Sequence, residues 1–128
     1  MAAILVVEDE EQVRVLAESY LREQGHDTFS AATREQALAI LEVAKIDLLF
    51  VDIGLYEHRD VGLDLAKQAV ERDTELKVLY TTGQTVTDGL KALFVQDSAL
   101  LTKPYTVEQL QTILLVKMNI KPANGTNG

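Results

Sequence analysis

Short apolar runs rich in β-branched residues alternate along this chain with stretches in which apolar residues recur every three or four positions. The runs are Ala3–Val7, Asp27–Ala31, Asp47–Val51, Leu76–Thr81 and Ala99–Thr102. The first, third and fourth are almost continuously apolar, the pattern of strands buried on both faces of a parallel sheet. Between them, Val13, Leu16, Ala17, Tyr20 and Leu21 form one helical stripe, with Gly25 placed to end that helix. Thr33 with Gln36 reads as a capping box ahead of Ala37, Ile40, Leu41 and Ala44, and Thr106 with Gln109 repeats it ahead of Leu110, Ile113 and Leu114. Leu65, Ala66, Ala69 and Val70 give a third stripe. A fourth helix is expected over roughly Gln84–Gln96, although Thr85, Val86, Thr87 and Gly89 are poor helix formers. Strand and helix thus alternate five times, which predicts a doubly wound α/β domain of (βα)5 type, a three-layer sandwich with right-handed crossovers. The domain is expected over residues 1–120, with a disordered tail at 121–128 (KPANGTNG) that offers no apolar partner.

Composition narrows the function classes. The chain has 128 residues, 47% of them apolar, enough for one core but not two. Cysteine is absent, which excludes disulfides, thiolate metal sites and a cysteine nucleophile. A net charge of −8 opposes binding to nucleic acid or to anionic lipid. The apolar run Met1–Val7 is too short to span a membrane and, without a basic flank, does not fit a signal peptide. A soluble, cytoplasmic protein is expected. No feature demands an oligomer beyond a monomer or weak homodimer.

Ligands of open α/β sheets bind beyond the carboxyl ends of the strands. There the first strand delivers Glu8-Asp9-Glu10-Glu11, the third Asp52, the fourth Thr81-Thr82-Gly83 and the fifth Lys103-Pro104. The first and third strands are expected side by side at the switch point, which brings Glu8, Asp9 and Asp52 together. Two like charges ~5 Å apart at an effective dielectric of ~20 repel by roughly 3 kcal/mol, so a proton or a hard divalent cation must relieve them. Adding the ammonium of Lys103 and the hydroxyl of Thr82 gives the set that phosphoryl transfer needs. Asp52 is the nucleophile candidate, because it leaves the most apolar strand. Each piece alone has a plainer explanation. Acids complement a helix dipole, an Asp or Thr-Gly makes a turn, and a surface Lys before Pro is common. The conjunction of four strand ends in the right order carries the argument.

The stretches ILVVEDE, LLFVDIGL, VLYTTG and LLTKPYT, with the spacing of Asp52, Thr82 and Lys103, resemble a response-regulator receiver domain of two-component signalling over residues 2–118. The resemblance implies a flavodoxin-like sheet of strand order 2-1-3-4-5. It implies Asp52 as phosphoacceptor and Mg²⁺ (or Mn²⁺) held by Asp9, Asp52 and the main-chain carbonyl of Gly54, with Glu8 acting through water. Thr82 and Lys103 would bind the phosphoryl group. The implied partners are a histidine kinase or histidine-phosphotransfer protein and a downstream protein target. The chain would then be no enzyme beyond catalysing its own phosphorylation and dephosphorylation. Three departures stand out. The loop IGLYEHRDVG is longer and more charged at 56–61 than the family's, with Tyr56 where a Pro is usual. Leu100 stands at the usual aromatic switch position. Gly54 and Gln84 occupy the positions that often tune dephosphorylation.

Three other functions compete. An aspartyl-phosphate phosphohydrolase would want a second acid where Gly54 stands. A small flavin-mononucleotide binder would want a Gly- and hydroxyl-rich loop where four consecutive acids stand. A receiver-like docking module that is never phosphorylated would not need the full set of Asp9, Asp52, Thr82 and Lys103. His26 and His58, lacking ligand-spaced partners, are expected at the surface. Tyr20 and Phe94 read as core residues, Tyr105 as a packing residue, and Lys117 and Lys121 as helix-dipole complements.

Overall fold

The computed structural model describes residues 2–55 and 59–122. The expected peculiarities at Tyr56 and His58, and the tail from residue 123 onward, lie outside the described residues. The elements follow in the order β1 (Ala3–Val7), α1 (Glu11–Glu23), β2 (Asp27–Ala31), α2 (Arg34–Val43), β3 (Leu48–Asp52), α3 (Arg59–Arg72), β4 (Lys77–Thr82), α4 (Asp88–Lys91), β5 (Ala99–Thr102) and α5 (Val107–Val116). The sheet is parallel, in the order β2-β1-β3-β4-β5. β3 and β4 each begin and end one residue later than the apolar pattern predicts, because Asp52 and Thr82 still belong to the ladder.

Two core layers follow from the period-two alternation of the strands. Ile4, Val6, Leu48, Phe50, Leu79 and Leu101 face Ala17 and Leu21 of α1 and Leu110 and Leu114 of α5. Leu5, Val7, Leu49, Val51, Val78 and Tyr80 face α2 and α3. Local signals end the helices as predicted. Gly25 adopts φ 87°, and the N–H groups of Gly25 and His26 donate to the carbonyls of Arg22 and Leu21, a Schellman closure of α1. Thr106 and Gln109 form a complete capping box on α5. On α2, Thr33 accepts from Gln36 N–H, but the Gln36 side chain accepts from Ala32 N–H and not from Thr33.

Four expectations need correction. The fourth helix shrinks to one turn, Asp88–Lys91, N-capped by Thr87. The β-branched and glycine residues ahead of it give no propagation, and no residue of the turn is buried to compensate. Leu16, on the predicted stripe of α1, is 56% exposed, since it lies beyond the arc that the sheet covers. His26 is buried, not on the surface, because the chain turns sharply into β2 there and its Nδ1 accepts from Ala2 N–H at 3.3 Å. Residues 59–61, expected as loop, are the first turn of α3.

Candidate functional site

Alternation along the strands places the acids. Glu8 follows Val6, Asp52 follows Phe50 and Lys103 follows Leu101, so all three continue the face that packs on α1 and α5. Thr82 follows Tyr80 and lies on the opposite face. Parallel β1 and β3 are direct neighbours, and the result is a cluster in which carboxylate oxygens of Glu8, Asp9 and Asp52 all lie within 4.8 Å of one another. Glu8 and Asp52 are buried and Asp9 is half-buried.

Backbone contacts fix each member. Glu8 N–H donates to Ala31 carbonyl oxygen at 3.1 Å, prolonging β1 by one residue, and the Glu8 carbonyl accepts from the Arg14 guanidinium at 2.9 Å. Asp52 Oδ1 accepts from Gly54 N–H at 3.0 Å, which turns the loop tightly around the carboxylate. Gly62, in the first turns of α3, matters for a different reason. A Cβ there would collide with the backbone of Asp52 and Ile53, so α3 can dock on the end of β3 only because this position has no side chain. Thr82 is buried, and its Oγ1 accepts from Gln84 N–H at 3.2 Å.

Lys103 belongs to β5's extension, two strands from β3, and its side chain crosses the end of β4 to reach the acids. Its N–H donates to the Thr82 carbonyl at 2.9 Å, and the Lys103–Pro104 peptide is cis. Nζ lies 2.8 Å from Glu8 Oε1, 3.2 Å from Asp52 Oδ2 and 3.5 Å from Glu10 Oε1. The Lys103 ammonium holds Glu8 Oε1, while Glu8 Oε2 accepts from Glu10 N–H at 3.2 Å. Glu10, Arg14 and Gly62 were not singled out by the sequence. Glu10 sat within the acidic run, while for Arg14 and Gly62 the spacing offered no signal.

Electrostatically, the site is frustrated. Burial pushes the Glu8 carboxyl up to about 7, Lys103 draws it down, and the nearby Asp52 charge adds to the rise. Burial works against the Lys103 ammonium, but Glu8 and Asp52 outweigh it and hold its pKa above the ordinary value. Tyr105, whose ring lies 5.9 Å from that of Phe50, is pushed up to about 12 by burial and by the Glu8 charge. A divalent cation with hard oxygen ligands fits this donor set, in which three carboxylates gather and the Lys103 ammonium meets two of them, Glu8 and Asp52. Beside the acids opens a largely apolar groove of about 480 Å³, bordered by Leu16, Gly83, Lys103, Pro104 and Tyr105.

The fold and the acid–ammonium cluster at its switch point define a doubly wound α/β domain with a charged site at the carboxyl ends of its strands. The family model of the response regulator receiver domain matches residues 4–115, and the chain belongs to that family. Among curated proteins it is 28% identical over 118 residues to the regulatory protein VanR of Enterococcus faecium, covering 92% of this chain and 49% of VanR. It is 29% identical over 108 residues to the transcriptional regulatory protein PhoP of Bacillus subtilis, covering 84% of this chain and 44% of PhoP. The chain thus spans about half the length of these relatives. Among solved structures, a CheY-like receiver domain protein from Methanospirillum hungatei superposes with a TM-score of 0.81 at 22% identity, covering 98% of this chain and 99% of that one. NtrX from Brucella abortus, in its ATP complex, superposes at 0.80 with 27% identity, covering 92% of this chain and 27% of that one. This protein is a receiver domain of the two-component response-regulator type. Among the described residues, no helix is long and apolar enough to cross a membrane.

Proposed function

We propose that the domain accepts a phosphoryl group on Asp52 from the phosphohistidine of a histidine kinase or histidine-phosphotransfer protein in the cytoplasm, and signals by contact with a downstream protein. The observation that carries this reading is the convergence of Lys103 with Glu8 and Asp52 beside the hydroxyl-bearing end of β4. In the transfer, an Asp52 carboxylate oxygen forms a bond to phosphorus as the bond from phosphorus to the imidazole nitrogen breaks, and the imidazole leaves with the donor protein. A magnesium or manganese ion, held by Asp9, Asp52 and the Gly54 carbonyl with Glu8 behind them, would supply charge neutralisation and orient the phosphoryl oxygens. Lys103 already faces the oxygen Oδ2 of Asp52 and is placed to exchange a carboxylate for a phosphoryl oxygen. The Thr82 hydroxyl, now an acceptor for Gln84 N–H, donates its own proton to another phosphoryl oxygen. The chain catalyses only its own phosphorylation and dephosphorylation.

The test is incubation with acetyl phosphate and Mg²⁺, followed by intact-mass measurement. The expected result is one added phosphoryl mass that hydroxylamine removes and that Asp52→Asn never acquires. Turnover of a phosphate ester would point to a hydrolase, and no adduct under any Mg²⁺ concentration would leave a docking module.

A further inference from the structure

Segment 83–98 joins β4 to β5 and contains the single turn α4. It is largely exposed: of residues 83–93, only Val86 and Leu90 are half-buried, and Leu93 is 62% exposed. Two hydroxyls from β4 hold its ends. Thr82 Oγ1 accepts from Gln84 N–H at 3.2 Å, and the Tyr80 hydroxyl oxygen accepts from Val95 N–H at 3.0 Å. Tyr80 is fully buried, and its ring lies against that of Phe94 with centroids 4.2 Å apart. Just beyond the clamp, Ser98 Oγ donates to the Val95 carbonyl at 2.8 Å and Asp97 adopts φ 60°, so the chain turns sharply into β5 from a fixed point.

Tyr80 and Thr82 are two residues apart on one strand, and their side chains therefore share a face. The ladder partner of Tyr80 is Leu100, which packs half-buried against the same core. Leucine has no polar tip, so on this face the group that reaches the backbone of the segment comes from β4 and not from β5. A buried phenol with a partner is costly to release, since both the hydroxyl and the amide would be left unsatisfied.

We infer that Tyr80 is a positioning residue whose hydroxyl clamps the far end of the β4–β5 segment to the strand carrying Thr82, so that a change at the Thr82 hydroxyl reaches the Leu93 surface through the stretch between the two bonds. The coupling half of this inference rests on the proposed role of Thr82 as a phosphoryl-binding hydroxyl. When that hydroxyl turns to a phosphoryl oxygen, the bond to Gln84 N–H is given up while the bond to Val95 N–H stays. The segment then pivots about Phe94 and Val95 instead of moving as a whole.

Residue-resolved amide hydrogen exchange tests both halves, with Tyr80→Phe removing the hydroxyl and keeping the ring. In the metal-free protein, exchange at Val95 should rise about fivefold in the variant, while β1, β3 and α5 keep wild-type protection. Unchanged exchange at Val95 overturns the clamp. Phe94→Leu, which keeps the hydroxyl and loses the ring contact, should raise exchange at Val95 less than Tyr80→Phe does, and an equal or larger rise would assign the clamp to packing alone. Beryllofluoride with Mg²⁺ then serves as the phosphoryl stand-in. In the wild type it should alter exchange from Gln84 through Leu93 and spare Val95. In Tyr80→Phe the change should spread through Val95 to Leu100, with phosphoryl uptake from acetyl phosphate still at the wild-type rate. The same response in both proteins overturns the coupling. No response of the wild type at Asp52–Gly54 overturns the phosphoacceptor reading and the coupling with it, whereas the clamp is decided by the metal-free measurement.

Discussion

The ammonium of Lys103 sits 2.8 Å from Glu8 Oε1, nearer than to either oxygen of Asp52 or Glu10 for which a contact is formed. The acid nearest the lysine is thus not Asp52, the proposed phosphoacceptor, but its buried neighbour just past β1. A cation that takes over Glu8 and Asp9 would free Lys103 for the group arriving at Asp52. Under the proposed function, binding of a metal and release of the lysine would be one electrostatic event.

Glu8 makes the metal-free domain pH-sensitive. Its folded pKa of about 7 lies above the ordinary value of 4.5, so its contribution to stability is full below pH 4.5 and is lost as pH rises through 7. Thermal melts in chelator should show Glu8→Gln more stable than wild type at pH 8, by about 2–3 kcal/mol, and the difference should shrink toward pH 5. An equal difference at both pH values would contradict the burial argument.

Mg²⁺ at millimolar concentration should raise the melting temperature by several degrees. Saturation one hundredfold above the dissociation constant is worth about 2.7 kcal/mol, and chelator should reverse it. Asp52→Asn removes one of the mutually repelling charges, so it should raise the metal-free melting temperature and blunt the response to Mg²⁺. Differential scanning calorimetry of both proteins, with and without the ion, checks both signs.

Lys103→Met leaves Glu8 and Asp52 buried without their cation. It should destabilise the metal-free domain by about 2–4 kcal/mol in urea titrations. Pairing it with Glu8→Gln should recover much of that loss, because the uncompensated charge is what costs. A double variant no more stable than Lys103→Met would show that the lysine acts through packing of its stem.

His26 acts in the opposite pH direction. Burial lowers its pKa below 6.5, and its Nδ1 must stay unprotonated to accept from Ala2 N–H. Its contribution is present above pH 6.5 and is lost as pH falls below 6.5 toward the folded pKa. NMR titration should find the His26 ring titrating below an unstructured histidine, and His26→Gln should flatten that part of the stability profile.

Gly62→Ala should cost about 1–3 kcal/mol, because the new methyl would overlap the backbone of Asp52 and Ile53 and push α3 off the end of β3. Urea denaturation measures the loss. Because the same displacement moves the Asp52 loop, the response to Mg²⁺ should weaken in parallel.

Much of this domain could be read directly from local pattern. Near-continuous apolar runs at Ala3–Val7 and Leu48–Val51 marked central strands because both their faces are covered, and Gly25 and Thr106 marked helix ends because their backbone and hydroxyl chemistry is local. Glu8, Asp52 and Lys103 were legible for the same reason, since each ends or directly follows a strand and period-two alternation assigns its face. The fourth helix was overextended. Its sequence has weak helix formers and no buried stripe, so its length depends on what the rest of the fold lets it bury. His26 and Leu16 went to the unexpected side of the surface because burial depends on the path of the neighbouring chain.

The sequence by itself determined the alternation of strands and helices, the identity of the groups at the strand ends, and the excess of negative charge gathered there, because these depend on bonded neighbours and side-chain chemistry alone. Only the tertiary structure decided that Lys103 spans the end of β4 to sit between Glu8 and Asp52, that Gly62 must lack a side chain, and that Tyr80 reaches Val95. Those are distances between groups far apart in the chain, and they are set by strand order, register and close packing, none of which any single segment carries.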